Sequence, residues 1–189
     1  MRWQHLFADL AAQFEAAEAA ASEGELASRT RAEVGAVRLL DRVAGSLGTP
    51  LTLRCRGAGA LVGAASEVGV DWLLLTDEHG RELLIAARSV LAVHGLGRST
   101  AVPVRDGVVS GRLDLRWALR AVSRDRRGVQ VVLEDGAMLT GTIDRVGADF
   151  VELAEHAAEE PRRADAVRRV SAVPLTAVAV VRTIAPAAD

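Results

Sequence analysis

Six arginines come closest to a recognisable chemistry. Arg112, Arg116, Arg120 and Arg124 recur every fourth residue, and Arg126 and Arg127 extend the series. On a helix this spacing makes a slowly drifting cationic stripe, and the guanidinium fork is well shaped for phosphate. The stripe is therefore the candidate nucleic-acid contact. Its plain alternative is a solvated face paired with Asp114, Asp125 and the acidic Glu155, Glu159 and Glu160, where such pairs contribute little. Most of the few aromatic residues are expected to be buried, Trp117 among them, which leaves no stacking platform between the arginines.

Other residue patterns carry less. Gly57, Gly59 and Gly63 follow a strand like a dinucleotide loop, but an alternating strand comes next where that loop needs a helix N-terminus. Cys55 falls at an inward strand position and reads as a core thiol; a nucleophile would need an exposed, electropositive setting. His5, His79, His94 and His156 are scattered, with no ligand spacing and no acidic cluster beside them. No catalytic residue, cofactor or metal site is expected, and the chain reads as non-enzymatic, with a small ligand-binding enzyme as a distant alternative.

The 189 residues are half hydrophobic and a quarter charged, with net charge -2. Mean hydropathy is +0.18 and pI about 6.1. A packed core is within reach, and global charge favours neither nucleic acid nor membrane. Lys, Asn and Tyr are absent, as in the drift of a GC-rich bacterial genome. One cysteine excludes an internal disulfide. No apolar run reaches the roughly 18 residues of a membrane helix, and a soluble, cytoplasmic chain is expected.

The elements that must position these residues are short. Trp3, Leu6, Phe7, Leu10 and Phe14 predict an amphipathic helix over 3–21, with an acidic outer face and a break by residue 30. A second helix is expected over 31–47, opened by a Thr30/Glu33 capping box and stopped by Gly48 and Pro50. Five strands follow near 51–56, 60–66, 70–76, 81–86 and 89–94, with separators too short for crossover helices. Residues 97–110 read as a linker. A third helix is expected over 112–126, capped by Ser110 and ended by Gly128. Five strands then return.

The return is a repeat. At a separation of 78 residues Leu51 meets Val129, Gly63 meets Gly141, Gly69 meets Gly147, Asp71 meets Asp149 and Trp72 meets Phe150. After a polar insertion over 155–165 the match resumes at a separation of 88, with Ile85 opposite Val173. Each copy is one helix followed by five strands.

The stretch 129–153, V-Q-V-V-L-E-D-G-A-M-L-T-G-T-I-D-R-V-G-A-D-F-V-E-L, resembles the first motif of the Sm-like (LSm/Hfq-type) small β-barrel family. Leu61, Gly63, Val68, Gly69, Asp71, Trp72 and Leu75 resemble it more loosely, and 173–181 looks like the closing strands. The resemblance implies a mainly β (α+β) chain of two tandem Sm-like barrels, over 31–96 and 111–184, with an extra N-terminal helix and a 185–189 tail. The family's RNA-pocket residues do not carry over: Gly147 and Val151 stand where its Asp and Asn would be. The turns 87–89 and 175–177 offer one arginine, Arg88, and no glycine. Asp71 and Asp149 are expected to accept backbone amides. The resemblance implies association through edge strands, hence a protein interaction or self-assembly module, with a protein partner or a homo-oligomer expected. An RNA-binding regulator using the arginine stripe is the alternative.

Overall fold

A computed structural model describes residues 32–101, 113–158, 163 and 166–184. The helix expected over 3–21, Ser110, Arg112 and the acidic Glu159 and Glu160 lie outside them. The chain divides into two compact units, Met1–Arg38 and Leu39–Asp189. In the first, residues 32–36 are helical, 37–38 are not, and the second unit opens on α1, Leu39–Ala44. The single helix expected over 31–47 is thereby corrected. Gly35 and the β-branched Val34 and Val37 weaken that stretch as a helix.

In the second unit the strands are β1 (Pro50–Cys55), β2 (Gly59–Val68), β3 (Trp72–Thr76), β4 (Glu82–Ala86) and β5 (Val90–His94). They are followed by α2 (Leu115–Asp125), β6 (Val129–Leu133), β7 (Met138–Val146), β8 (Phe150–Glu155), β9 (Arg169–Pro174) and β10 (Val178–Thr183). One 3-10 turn, Ala87–Ser89, joins β4 to β5, and another, Leu175–Ala177, joins β9 to β10.

All ten strands belong to one open antiparallel sheet, in the order β5-β1-β2-β3-β4-β10-β6-β7-β8-β9. Two tandem small barrels, each with its own helix, are therefore corrected to a single continuous sheet. The physical reason is the place of β10. It pairs with β6 of its own copy and also with β4 of the other, so the two copies continue each other and neither closes on itself.

The internal repeat survives in the registers. Leu51 opposes Gly63 in the first copy and Val129 opposes Gly141 in the second. β2 shifts register between Ala65 and Glu67, and β7 shifts at the matching place, between Ile143 and Arg145. Such bulges bend a strand and increase its twist. A Cβ at Gly63 would collide with the Thr76 carbonyl, and one at Gly141 with that of Ala154. Both glycines are held by this close approach of neighbouring backbone.

The core lies in two clusters, and each draws on both copies. One gathers Leu115, Leu119, Val129, Val131 and Leu153 with Trp72, Leu84 and Ala86. The other gathers Leu51, Leu53, Leu73, Leu75 and Ile85 with Val132, Ala179 and Val180. β4 sends alternate side chains into the two clusters, and β10 sends Val178 and Val181 into one and Ala179 and Val180 into the other, so both strands are buried on both sides. That is why they read as unbroken apolar runs, L-L-I-A and V-A-V-V.

Candidate functional site

Where β4 meets β10 the ladder is short: Ile85 opposes Val180, Leu84 opposes Val181 and Leu83 opposes Arg182. The amide of Ala87 donates to the Asp71 carbonyl at 2.8 Å, which makes Trp72 and Ala86 a non-hydrogen-bonded pair. The backbone groups of Leu84 then face β10, and Leu84 and Val181 exchange the ladder bonds.

Polar donors of the first copy reinforce this junction. The Arg88 guanidinium donates to the carbonyls of Leu175, Thr176 (3.1 Å) and Val178 (2.7 Å), the turn that leads into β10. Buried Ser89 donates to Ala86 at 2.7 Å and across the junction to Ala179 at 3.1 Å. Arg56 pairs with Glu134 at 3.2 Å, and Arg88 lies 3.8 Å from the same carboxylate. Gly57, at φ 70°, leaves room for the Leu133 carbonyl, which a Cβ would strike. Farther along, the Trp72 indole donates to the Leu113 carbonyl at 2.8 Å, and Asp71 accepts the Leu115 amide at 2.7 Å. The first copy thereby holds the start of α2.

The repeat places an equivalent of this junction at both ends of the sheet. β5 corresponds to β10 and β9 to β4, and these are the two terminal strands. The Leu175 amide donates to the Asp149 carbonyl at 2.7 Å, so Phe150 and Pro174 form the matching non-hydrogen-bonded pair. The N–H and C=O of Ala172 consequently face outward from β9. Leu91 of β5 is 55% exposed and Val170 of β9 is 58% exposed. The reinforcing donors differ: Thr176 stands at the position of Arg88, Ala177 at that of Ser89, and Phe150 at that of Trp72.

α2 carries the candidate arginines. Asp114 caps it, accepting the Trp117 amide at 2.9 Å, and Arg126 ends it in the left-handed conformation, so neither Ser110 nor Gly128 sets its bounds. Leu115, Ala118 and Leu119 are buried, and Ser123 donates to the Ile143 carbonyl on β7 at 3.1 Å. Arg116 is held by bonds to Asp114 at 3.1 Å and to the Ala148 carbonyl at 3.3 Å. Arg120, Arg124, Arg126 and Arg127 are exposed. Trp117, expected inside, is 43% exposed, and the helical spacing puts it on the side of Arg120 and Arg124.

The remaining candidates have structural partners. Cys55 is buried, and burial pushes its thiol up to about 11 against a hydrogen bond with Ser89. His156 is buried, with Nε2 2.8 Å from the Thr142 hydroxyl and Nδ1 2.8 Å from the Ala157 carbonyl. The Ala157 carbonyl can only accept, so it requires a proton on Nδ1. Among the described residues no group of His, Cys, Asp and Glu could hold a metal ion, and no helix is long and apolar enough to cross a membrane. An open groove of about 1050 Å³ runs beside β2 and the end of β10, past Arg81, Gln130, Thr140 and Arg182. Of its two carboxylates, Asp77 is committed to Arg81 at 2.7 Å and to the amides of His79 and Arg81, and Glu78 lies 3.8 Å from the His79 ring.

Comparison with known proteins finds no family model, no curated protein and no solved structure that matches the chain, so none identifies an Sm-like family. The Arg88 contacts were within reach of the sequence, because the repeat already set Arg88 opposite Thr176. The signal lay in where the copies differ.

Proposed function

We propose that this chain is a non-enzymatic interaction module that takes up partner strands at the outer edges of β5 and β9. One observation carries the reading: β10 already enters the sheet between β4 and β6, and the same edges recur at the two ends of the sheet, unpaired among the described residues. An exposed edge offers a row of backbone donors and acceptors to another chain. Arg169 and Pro174 flank the usable part of β9, which limits an added strand to a few residues.

The test is Ala172→Pro. The outward N–H of residue 172 is not used by β8, so the substitution removes a docking donor while sparing the fold. Proteins recovered with the wild-type chain, in the presence of nuclease, are expected to be lost with the variant at unchanged thermal stability. Equal recovery overturns the reading.

Exposed Trp117 beside Arg120 and Arg124 supports a second reading, in which the outer face of α2 contacts single-stranded RNA by stacking and phosphate pairing. A fluorescent 20-nucleotide RNA is then bound in a salt-sensitive manner, about tenfold more weakly after Trp117→Ala. Binding indifferent to Trp117→Ala and to Arg120→Glu/Arg124→Glu rules this out.

A further inference from the structure

We infer that the strand taken up at these edges is that of a second copy of the chain, joined head to tail, with β9 of one molecule paired to β5 of the next. This rests on the edge reading above and names its partner. The inner junction is the template. Transferred through the repeat, Ile85–Val180, Leu84–Val181 and Leu83–Arg182 become Val173–Ala92, Ala172–Val93 and Ser171–His94 between molecules. Ala172 faces outward as Leu84 does, so Ala172 and Val93 exchange the ladder bonds and the flanking pairs are non-hydrogen-bonded. Pro174, which has no N–H to offer, stands just beyond the register, at the position where Ala86 lies outside the inner ladder.

Charge complementarity favours a second copy over an arbitrary strand. Arg56 and Glu134 occupy equivalent places in the two copies, 78 residues apart, and pair with each other. Two identical residues there would repel, whereas Arg opposite Glu attracts. Head-to-tail addition brings Arg56 of one molecule to Glu134 of the next, so the two charges alternate along the assembly. The contact is heterologous, so it propagates into a ring or a filament according to the rotation it imposes. The inner donors Arg88 and Ser89 are missing at the outer edge, where Thr176 and Ala177 stand, so the association between molecules is weaker and concentration-dependent.

Two measurements on the full chain decide it. Light scattering across a hundredfold range of concentration is expected to show a mass that rises in multiples of the 19.9 kDa chain. A strict monomer overturns the inference, while edge-dependent capture of other proteins would leave the edge reading standing. The second measurement fixes the register. Ser171 and His94 form a non-hydrogen-bonded pair, whose Cα separation of about 4.5 Å suits a disulfide. The variant His94→Cys/Ser171→Cys is expected to oxidise into a ladder of covalent oligomers, and buried Cys55 does not compete. The control His94→Cys/Arg169→Cys, two residues out of register, is expected to stay largely uncoupled. Equal coupling in both variants, or none in either, overturns the proposed register.

Discussion

The inner junction and the outer edges are built from equivalent strands and differ in what surrounds them. β4 buries Leu83, Leu84, Ile85 and Ala86, whereas β9 buries only Val173. β10 buries Val178, Ala179, Val180 and Val181, whereas no residue of β5 is fully buried. The donors follow the same division, with Arg88, Ser89 and Trp72 on the inner side and Thr176, Ala177 and Phe150 on the outer. Backbone pairing is common to both places. What makes the inner contact permanent is side-chain chemistry added to it, together with the covalent chain. The outer edges keep the geometry without the reinforcement, as a reversible contact requires.

The heaviest blow to the inner side is Gly57→Ala. Gly57 and Gly59 both have positive φ, near 70°, but only at Gly57 does a Cβ meet neighbouring backbone, the Leu133 carbonyl and its successors. Gly57→Ala is expected to cost about 3 kcal/mol or more, from strain and collision together. Gly59→Ala is expected to cost about 1 kcal/mol, for the conformation alone. Urea denaturation of the two variants measures the difference, and equal losses would mean the loop gives way without resistance.

Arg88→Ala comes next. It removes charged hydrogen bonds to three carbonyls, for which about 2 kcal/mol is a fair expectation. Thr176→Ala, the equivalent change in the other copy, removes no side-chain bond shown by the structure and is expected to be nearly silent. If the two variants melt alike, Arg88 is a surface residue and the asymmetry of the copies has no energetic content.

The converse change sharpens the comparison. Thr176→Arg/Ala177→Ser writes the inner donors onto the outer turn, where the carbonyls of Ala87, Arg88 and Val90 of a neighbouring molecule would accept them. Part of the gain is offset, because Arg56 of that neighbour replaces the Glu134 that Arg88 faces within the chain. A fall in the dissociation constant of about tenfold is expected, equivalent to roughly 1.4 kcal/mol. Sedimentation equilibrium reads it directly, and an unchanged or higher constant contradicts the equivalence of the two places.

Much of this was legible in the sequence. Ten strands came from alternation and turn glycines, and the repeat came from residue identities at a fixed separation. The burial of Cys55 came from its inward place on a strand, and the acceptor role of Asp71 from its turn. The architecture was misread because closure depends on which strand β10 chooses, and nothing local to V-A-V-V states that choice. Its unbroken apolar run, and that of L-L-I-A, did carry information, since a strand buried on both sides has no polar face. The matching residues of β9, S-A-V-P, lack that run. Trp117 was misplaced for a related reason. Leu115, Ala118 and Leu119, with half-buried Val122, fill the contact of α2 with the core, leaving the indole on the outside with Arg120 and Arg124.

The mildest test uses pH and compares the turn before β4 with the brace on β9. Asp77 follows β3 and Glu155 ends β8, the matching strand of the second copy, and both carboxyls lie below their ordinary values. At Asp77 burial works against the shift, and hydrogen bonds from the Arg81 amide, its guanidinium and the His79 amide outweigh it. At Glu155 the Arg169 guanidinium, 2.8 Å away, is the main cause, and the Ser171 hydroxyl adds to it. A depressed folded-state pKa means stability that is present above the unfolded value, about 4 for these groups, and lost as pH falls through the folded value. Acidification below about pH 4 is therefore expected to loosen both hairpins, but unequally. β4 remains held by β3 and β10, whereas among the described residues β9 has β8 alone beside it. Hydrogen-exchange protection of Ser171 and Val173, whose amides face β8, should fall first, while Leu83 and Ile85 keep theirs. Glu155→Gln should flatten the pH dependence at β9 and leave β4 untouched. A parallel loss at both strands would show that a second neighbour gives β4 no protection of its own.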